Sequence, residues 1–212
     1  MFGSRVHVSE LKEVSGSAIF GALALALSVS PLRFPFPLLP YLEIDLMEVP
    51  VLFSFLVLGP RAGLMTSLVC WLALNFFGSF VPIGPAMKLA SMLSTLGGMW
   101  LALEFLKLKG KGRRLFASFA LGAAFRVGVM TLLNYLILVT IPGFLELAEY
   151  SLSSLGLGLS SHSSALIWAL LFTGLFNLTY LAISFAPVVS VVEALDRRKV
   201  AVWVSSERAN RR

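Results

Sequence analysis

Arginine, asparagine and tyrosine set inside long apolar runs are the residues of this chain that could do chemistry. Each must find a partner there or line a wet cavity. Arg126 lies about midway along the apolar stretch 115–141. At ~1.5 Å per residue it is on the order of 15–20 Å from the nearest basic turn, too deep to reach water by extending its side chain. Asn134 follows eight residues later, about 80° around a helix, so the two can share one side of a cavity. Asn75, Asn177 and Tyr180 add hydrogen-bonding groups from two other apolar runs. Such a set can grip a small polar solute. It can equally serve as interhelical hydrogen bonds and a structural ion pair, with Glu104 or a loop acid as the partner of Arg126.

Reaction chemistry finds little support. The chain has no Gly-rich phosphate loop, no His-Glu-x-x-His zinc pair and no Gly-x-Ser-x-Gly elbow. Ser160–Ser164 places hydroxyls beside His162, but adjacent residues of a loop have no fixed general-base geometry. Cys70 is the only cysteine and sits in an apolar run, so it reads as a small buried hydrophobe with no disulfide or metal role. The chain is not expected to be an enzyme or to hold a cofactor, and any ATP-driven step must belong to another chain.

The elements that position these residues follow from composition. The 212 residues are 58% hydrophobic and 13% charged, against roughly 45–50% and about 25% in a soluble domain. A bilayer is therefore the expected solvent, and the expected fold is an all-α integral membrane protein of six helices. Apolar runs place the spans at about 15–31, 46–58, 62–80, 85–106, 115–141 and 165–191, in one domain over 1–192 with a polar, basic tail over 193–212. The run near the N-terminus is expected to stay as the first span rather than be cleaved as a signal peptide. The second span, at ~20 Å, is short against a ~30 Å core. Pro187 predicts a kink or a helix end within the last.

Charge placement sets the orientation. With both termini cytoplasmic, only Arg33, Lys88 and Arg126 of the 17 Lys and Arg fall outside the cytoplasmic loops and tails. That asymmetry is what the positive-inside rule requires, and the net +6 needs no nucleic acid to explain it. The break from Pro35 to Pro50 is then external. It holds four prolines, two aromatics and three acids and reads as a hinge or lid over a buried site, or as a plain stiff loop. The Pro82–Pro85 turn and the segment 142–164, Ser/Gly-rich over 151–164, read as external too. Ala18, Ala22 and Ala26 recur every four residues, making a smooth stripe against which another helix, of this bundle or of a partner protein, can pack closely.

These segments resemble the substrate-binding S component of an energy-coupling factor (ECF) vitamin transporter. The likeness runs through Ala18-x-x-x-Ala22, Phe34-Pro35-Phe36-Pro37, Tyr41 to Pro50 and Gly59-Pro60-Arg61-Ala62-Gly63. Met130 to Tyr135 and Phe176-Asn177-Leu178-x-Tyr180 are similar to the riboflavin branch. The resemblance implies a vitamin-binding subunit in a prokaryotic cytoplasmic membrane. It would dock a transmembrane coupling subunit through Ala18, Ala22 and Ala26, with two cytosolic ATPases as the engine. It implies Asn134 and Asn177 facing the ligand and Tyr41 and Asp45 in the lid and its base; with the two asparagines Tyr180 is expected to fix the ligand's hydrogen-bonding edge, and Arg126 or Lys88 to meet its negative or carbonyl groups. Two departures stand out: Leu175 and Tyr180 replace a proline and a lysine of that branch, and Lys88 stands where a small or amide residue is expected. With Arg126, Lys88 opens the alternative of an anionic vitamin such as pantothenate. A non-transporting scaffold is the reading from another class.

Overall fold

In a computed structural model, residues 3–156, 161–200 and 202–205 are described. Seven helices carry the fold. They are α1 (Gly3–Ser28), α2 (Glu48–Leu58), α3 (Pro60–Phe77), α4 (Ile83–Phe105), α5 (Lys111–Thr140), α6 (Phe144–Ser154) and α7 (His162–Arg197). Six of them lie on the six expected spans. Four contain stretches long and apolar enough to cross a bilayer, namely Glu10–Ser28, Ile83–Phe105, Lys111–Thr140 and His162–Arg197, while α2 is a shorter apolar helix.

Local chemistry sets the boundaries. Gly59, at φ +113°, breaks α2 from α3, and Pro60 opens α3, where its missing N–H costs nothing. Ser161 and Ser164 form a reciprocal capping box at the start of α7. α7 runs through Pro187 to Arg197, so the expected helix end near that proline does not occur. Close approach of the helices rests on glycine. A Cβ on Gly98 would stand 2.5 Å from the Leu121 carbonyl oxygen where α4 meets α5, and one on Gly21 would stand 2.6 Å from Val69 where α1 meets α3. Among the alternatives for the alanine stripe, Ala18, Ala22 and Ala26 are exposed, whereas Ser17, Gly21, Ala24 and Ser28 turn inward.

Three segments read as loops or tail carry structure. The proline-rich break contains an antiparallel hairpin, β1 (Phe34–Phe36) and β2 (Leu39–Ile44), with Phe34 opposite Ile44 and an irregularity after Pro35. Within 142–164 lies α6, which turns away from α5 at Gly143 (φ +87°) and buries Ala148, Ser151 and Leu152 on one face. Short amphipathic patterning, weaker than a membrane span, accounts for its being read as loop. Beyond α7, Val202 and Val204 are buried and Trp203 lies edge-on to Phe55 at 5.7 Å, so this part of the expected polar tail belongs to the core.

Two apolar groups fill the interior. One surrounds α2, with Met47, Leu52, Phe55, Met99 and Leu181. The other lies beneath the hairpin, with Phe36, Leu39, Leu138, Leu152 and Ala169. The candidate site lies between them.

Candidate functional site

A cavity of about 340 Å³ is walled by Leu74 from the first group and by Leu138, Phe144 and Phe176 of the second. Six of the seven expected ligand-binding residues line it: Tyr41, Asp45, Lys88, Arg126, Asn134 and Asn177. They come from the hairpin, the turn before α2, and helices α4, α5 and α7, so residues up to 136 positions apart converge. Tyr180 does not line the cavity. Its side chain is fully buried behind it.

Charge organises the floor of the cavity. Arg126 grips Glu48 with both ends of its guanidinium, Nη1 to Oε2 at 2.6 Å and Nη2 to Oε1 at 3.1 Å. Its Nε donates to Asn177 Oδ1 at 3.0 Å, and Nη1 also reaches Thr95 Oγ1 at 3.3 Å. The Arg126 and Glu48 side chains are each 2% exposed. Bidentate geometry with the remaining donors satisfied is the condition under which a desolvated pair can stand. Sequence reasoning offered Glu104 or a loop acid as this partner. Glu104 is exposed near the far end of α4, and the partner is the loop-acid alternative, Glu48, last of the three acids of the Pro35–Pro50 break and held in the first turn of α2. Glu48 had a legible signal, being one of two acids inside the six expected spans.

A second cluster adjoins the first. Lys88 Nζ lies 3.2 Å from Asp45 Oδ2 and 3.6 Å from Glu48 Oε1, and it donates to the Tyr180 hydroxyl at 2.6 Å. That hydroxyl donates in turn to Asp45 Oδ1 at 2.5 Å. Lys88 Nζ is 4.1 Å and Arg126 Cζ 5.0 Å from the centre of the Tyr180 ring, whose face attracts both cations. Asp45 also accepts from the Met47 N–H at 2.8 Å, which fixes the turn into α2. Burial alone would raise the Asp45 carboxyl, but the Lys88 ammonium and then the Tyr180 and Met47 donors outweigh it, holding the carboxyl below its ordinary range. Two carboxylates meet two cations, and the cluster is balanced.

Polar capacity left for a solute lies at the upper wall. Asn134 Nδ2 is spent on the Met130 carbonyl at 2.7 Å, while its amide oxygen has no partner among the described residues. Asn177 is more committed, accepting from Arg126 and donating to the Thr173 carbonyl at 2.9 Å. Tyr41, in β2, is pushed up to about 12 by burial and stays a neutral donor. Asn75 instead donates to the Trp71 carbonyl of its own helix. Arg33, which sequence reasoning passed over, also lines the cavity. It donates to the Ser28 carbonyl at the end of α1 and lies 3.6 Å from Glu43 of β2.

A family model for the substrate-specific component of the ECF transporter matches residues 13–192. The chain belongs to this family. The riboflavin transporter RibU of Staphylococcus aureus (strain TCH60) is 27% identical over 142 residues, 66% of this chain and 72% of that protein. The riboflavin transporter FmnP of Bacillus subtilis (strain 168) is 29% identical over 205 residues, 94% and 97% of the two chains. A solved structure described as the S component of a bacterial ECF transporter matches with a TM-score of 0.57 at 22% identity, covering 86% of this chain and 98% of its own. As an S component, this chain is a multi-pass membrane protein, and its helices carry the apolar stretches for that.

Within the S-component frame the two departures are neighbours. The lysine expected at 180 is a tyrosine, and the unexpected lysine at 88 puts its ammonium 2.6 Å from that tyrosine's hydroxyl. Lys88 of α4 thus stands beside Tyr180 of α7.

Proposed function

We propose that this chain is the riboflavin-binding S component of an ECF importer, without enzymatic activity of its own. It works with a separate transmembrane coupling subunit and two cytosolic ATPases in a prokaryotic cytoplasmic membrane. The observation that carries the choice of ligand is the charge balance of the cavity floor. Asp45 and Glu48 neutralise Lys88 and Arg126, so the cavity offers a neutral, partly aromatic molecule hydrogen bonds without an unpaired charge. The relatives named as riboflavin transporters support the same ligand. An anionic vitamin such as pantothenate drew its case from Lys88 and Arg126. Both are already held by carboxylates, and an added anion would meet Asp45 and Glu48 as well.

Tyr41 and the hairpin cover the ligand in this reading, Asn134 meets its hydrogen-bonding edge, and Asn177 acts by holding Arg126 in place. Lys88 and Tyr180 form the support beneath. The six expected spans cross the membrane with both termini cytoplasmic, and the exposed face of Ala18, Ala22 and Ala26 receives the coupling subunit. Transport then requires that the partners stabilise a conformation with lower affinity for the vitamin.

Titrating the purified protein with riboflavin, followed by quenching of flavin fluorescence, tests the ligand. Saturable one-to-one quenching at submicromolar concentration, undisturbed by a hundred-fold excess of pantothenate, is expected. Full displacement by pantothenate would make the ligand anionic, and absence of any vitamin binding would favour the scaffold reading.

A further inference from the structure

At the end of the molecule away from the hairpin, the turn from α4 to α5 opens a second concavity, of about 580 Å³. Leu106, Leu108, Phe116, Ala120 and Leu121 wall it, and Arg113 is the one charged side chain among its lining residues. A Cβ added at Gly112, on the same wall, would meet nothing within 4 Å, so the furrow is open rather than filled by neighbours. Phe116 is 73% exposed along it.

Four of the five cations around this furrow are unspent among the described residues. Lys107, Lys109, Lys111, Arg113 and Arg114 fall within eight residues, with no acid between them. Lys111 pairs with Asp196 at 3.1 Å and reaches the Val192 carbonyl. The side chains of the other four form no ion pair with any described residue, in contrast to Lys88 and Arg126 in the cavity. One buried guanidinium nitrogen of Arg114 has no hydrogen-bond partner among the described residues. Glu104, the nearest acid along the chain, pairs with none of them.

Unpaired cations beside an open apolar furrow, in a chain embedded in a bilayer, complement a molecule with a phosphate at one end and a hydrocarbon tail at the other. We propose that this furrow is a binding site for an anionic phospholipid. Its phosphate meets Arg113 and the neighbouring cations, and an acyl chain lies along Leu106, Phe116 and Leu121. A zwitterionic lipid brings its own cation, and a turn without acids has nothing to receive it, so the site discriminates by headgroup charge. The site needs only membrane embedding and is independent of which vitamin the cavity holds.

Native mass spectrometry of the protein released from nanodiscs of equal phosphatidylglycerol and phosphatidylcholine tests this. One phosphatidylglycerol should be retained in preference. Arg113→Gln should lower that preference about five-fold, the loss of about one cation's attraction at a membrane surface. Ala120→Trp, which fills the furrow without changing charge, should lower it comparably. Arg61→Gln, which removes a cation from the first turn of α3, should leave it unchanged. Equal retention of the two lipids overturns the site. So does an Arg61→Gln effect as large as that of Arg113→Gln, which would mean diffuse surface charge, or a full preference surviving in Ala120→Trp. Circular dichroism and size exclusion distinguish a misfolded variant, and Lys109→Gln gives a second charge deletion if Arg113→Gln fails to fold.

Discussion

At the scale of single residues, the cavity floor is a set of charges that stand only together. Removing one partner of a buried pair strands the other, at a cost of about 3–5 kcal/mol, whereas replacing both with apolar groups often costs little. Glu48→Ala leaves Arg126 without its bidentate carboxylate and takes one acid from Lys88. Thermal unfolding in detergent should show a loss in that range for Glu48→Ala, and a distinctly smaller one for Glu48→Leu combined with Arg126→Met. Equal losses for the single and double variants would mean that the pair contributes through packing alone. Asp45 adds a pH signature of definite sign. Its carboxyl is depressed in the folded state, so its contribution is complete above the unfolded value of about 3.9 and fades as pH falls through the lower folded value. The gap in melting temperature between the protein and Asp45→Asn should therefore hold steady from pH 7 to about pH 5 and close in stronger acid. A gap that widened on acidification would contradict the Lys88–Asp45–Tyr180 geometry.

At the scale of elements, the proposed function divides the work of a binding subunit between two helices. α7 carries Asn177 and Tyr180 on its buried face, tied to α5, α4 and the turn before α2. α1 turns Ser17, Ala24 and Ser28 inward and leaves Ala18, Ala22 and Ala26 bare. The hairpin lies between these roles, because Phe36 packs edge-on to Phe176 of α7 at 5.4 Å while Arg33 reaches both Glu43 and the end of α1. Asn177→Ala frees Arg126 Nε and should weaken flavin binding at least ten-fold while co-purification with the coupling subunit persists. Ala22→Leu, on the exposed face, should do the reverse. Complex formation and uptake that survive Ala22→Leu intact would remove the alanine face from the interface.

At the scale of the whole molecule, what could be read from the chain and what could not divide along one physical line. Apolar runs ended by Pro31, Pro82 and Pro142 mark helices because a bilayer leaves the backbone few other options. The pairing of Arg126 with Glu48, 78 residues apart, depends on how those helices are arranged, which periodicity does not encode. The hairpin and α6 rest on short segments whose apolar signal falls below that of a span, and the buried Val202 and Val204 sit in a stretch whose basic neighbours dominate its composition. The second of the six expected crossings is short. α2 has 11 residues, ~16 Å at ~1.5 Å per residue, against a ~30 Å hydrocarbon core. In a Cys70→Ser background, single cysteines at Leu32, Arg61, Phe80, Lys109 and Tyr150 should alternate in labelling by a membrane-impermeant maleimide. Those at 32, 80 and 150 should react in intact cells, and those at 61 and 109 only after permeabilisation. If 32, 61 and 80 all react from outside, α2 and α3 form a re-entrant pair and the chain crosses four times, while a fully inverted pattern would put the basic turn, against its charge, on the outer face.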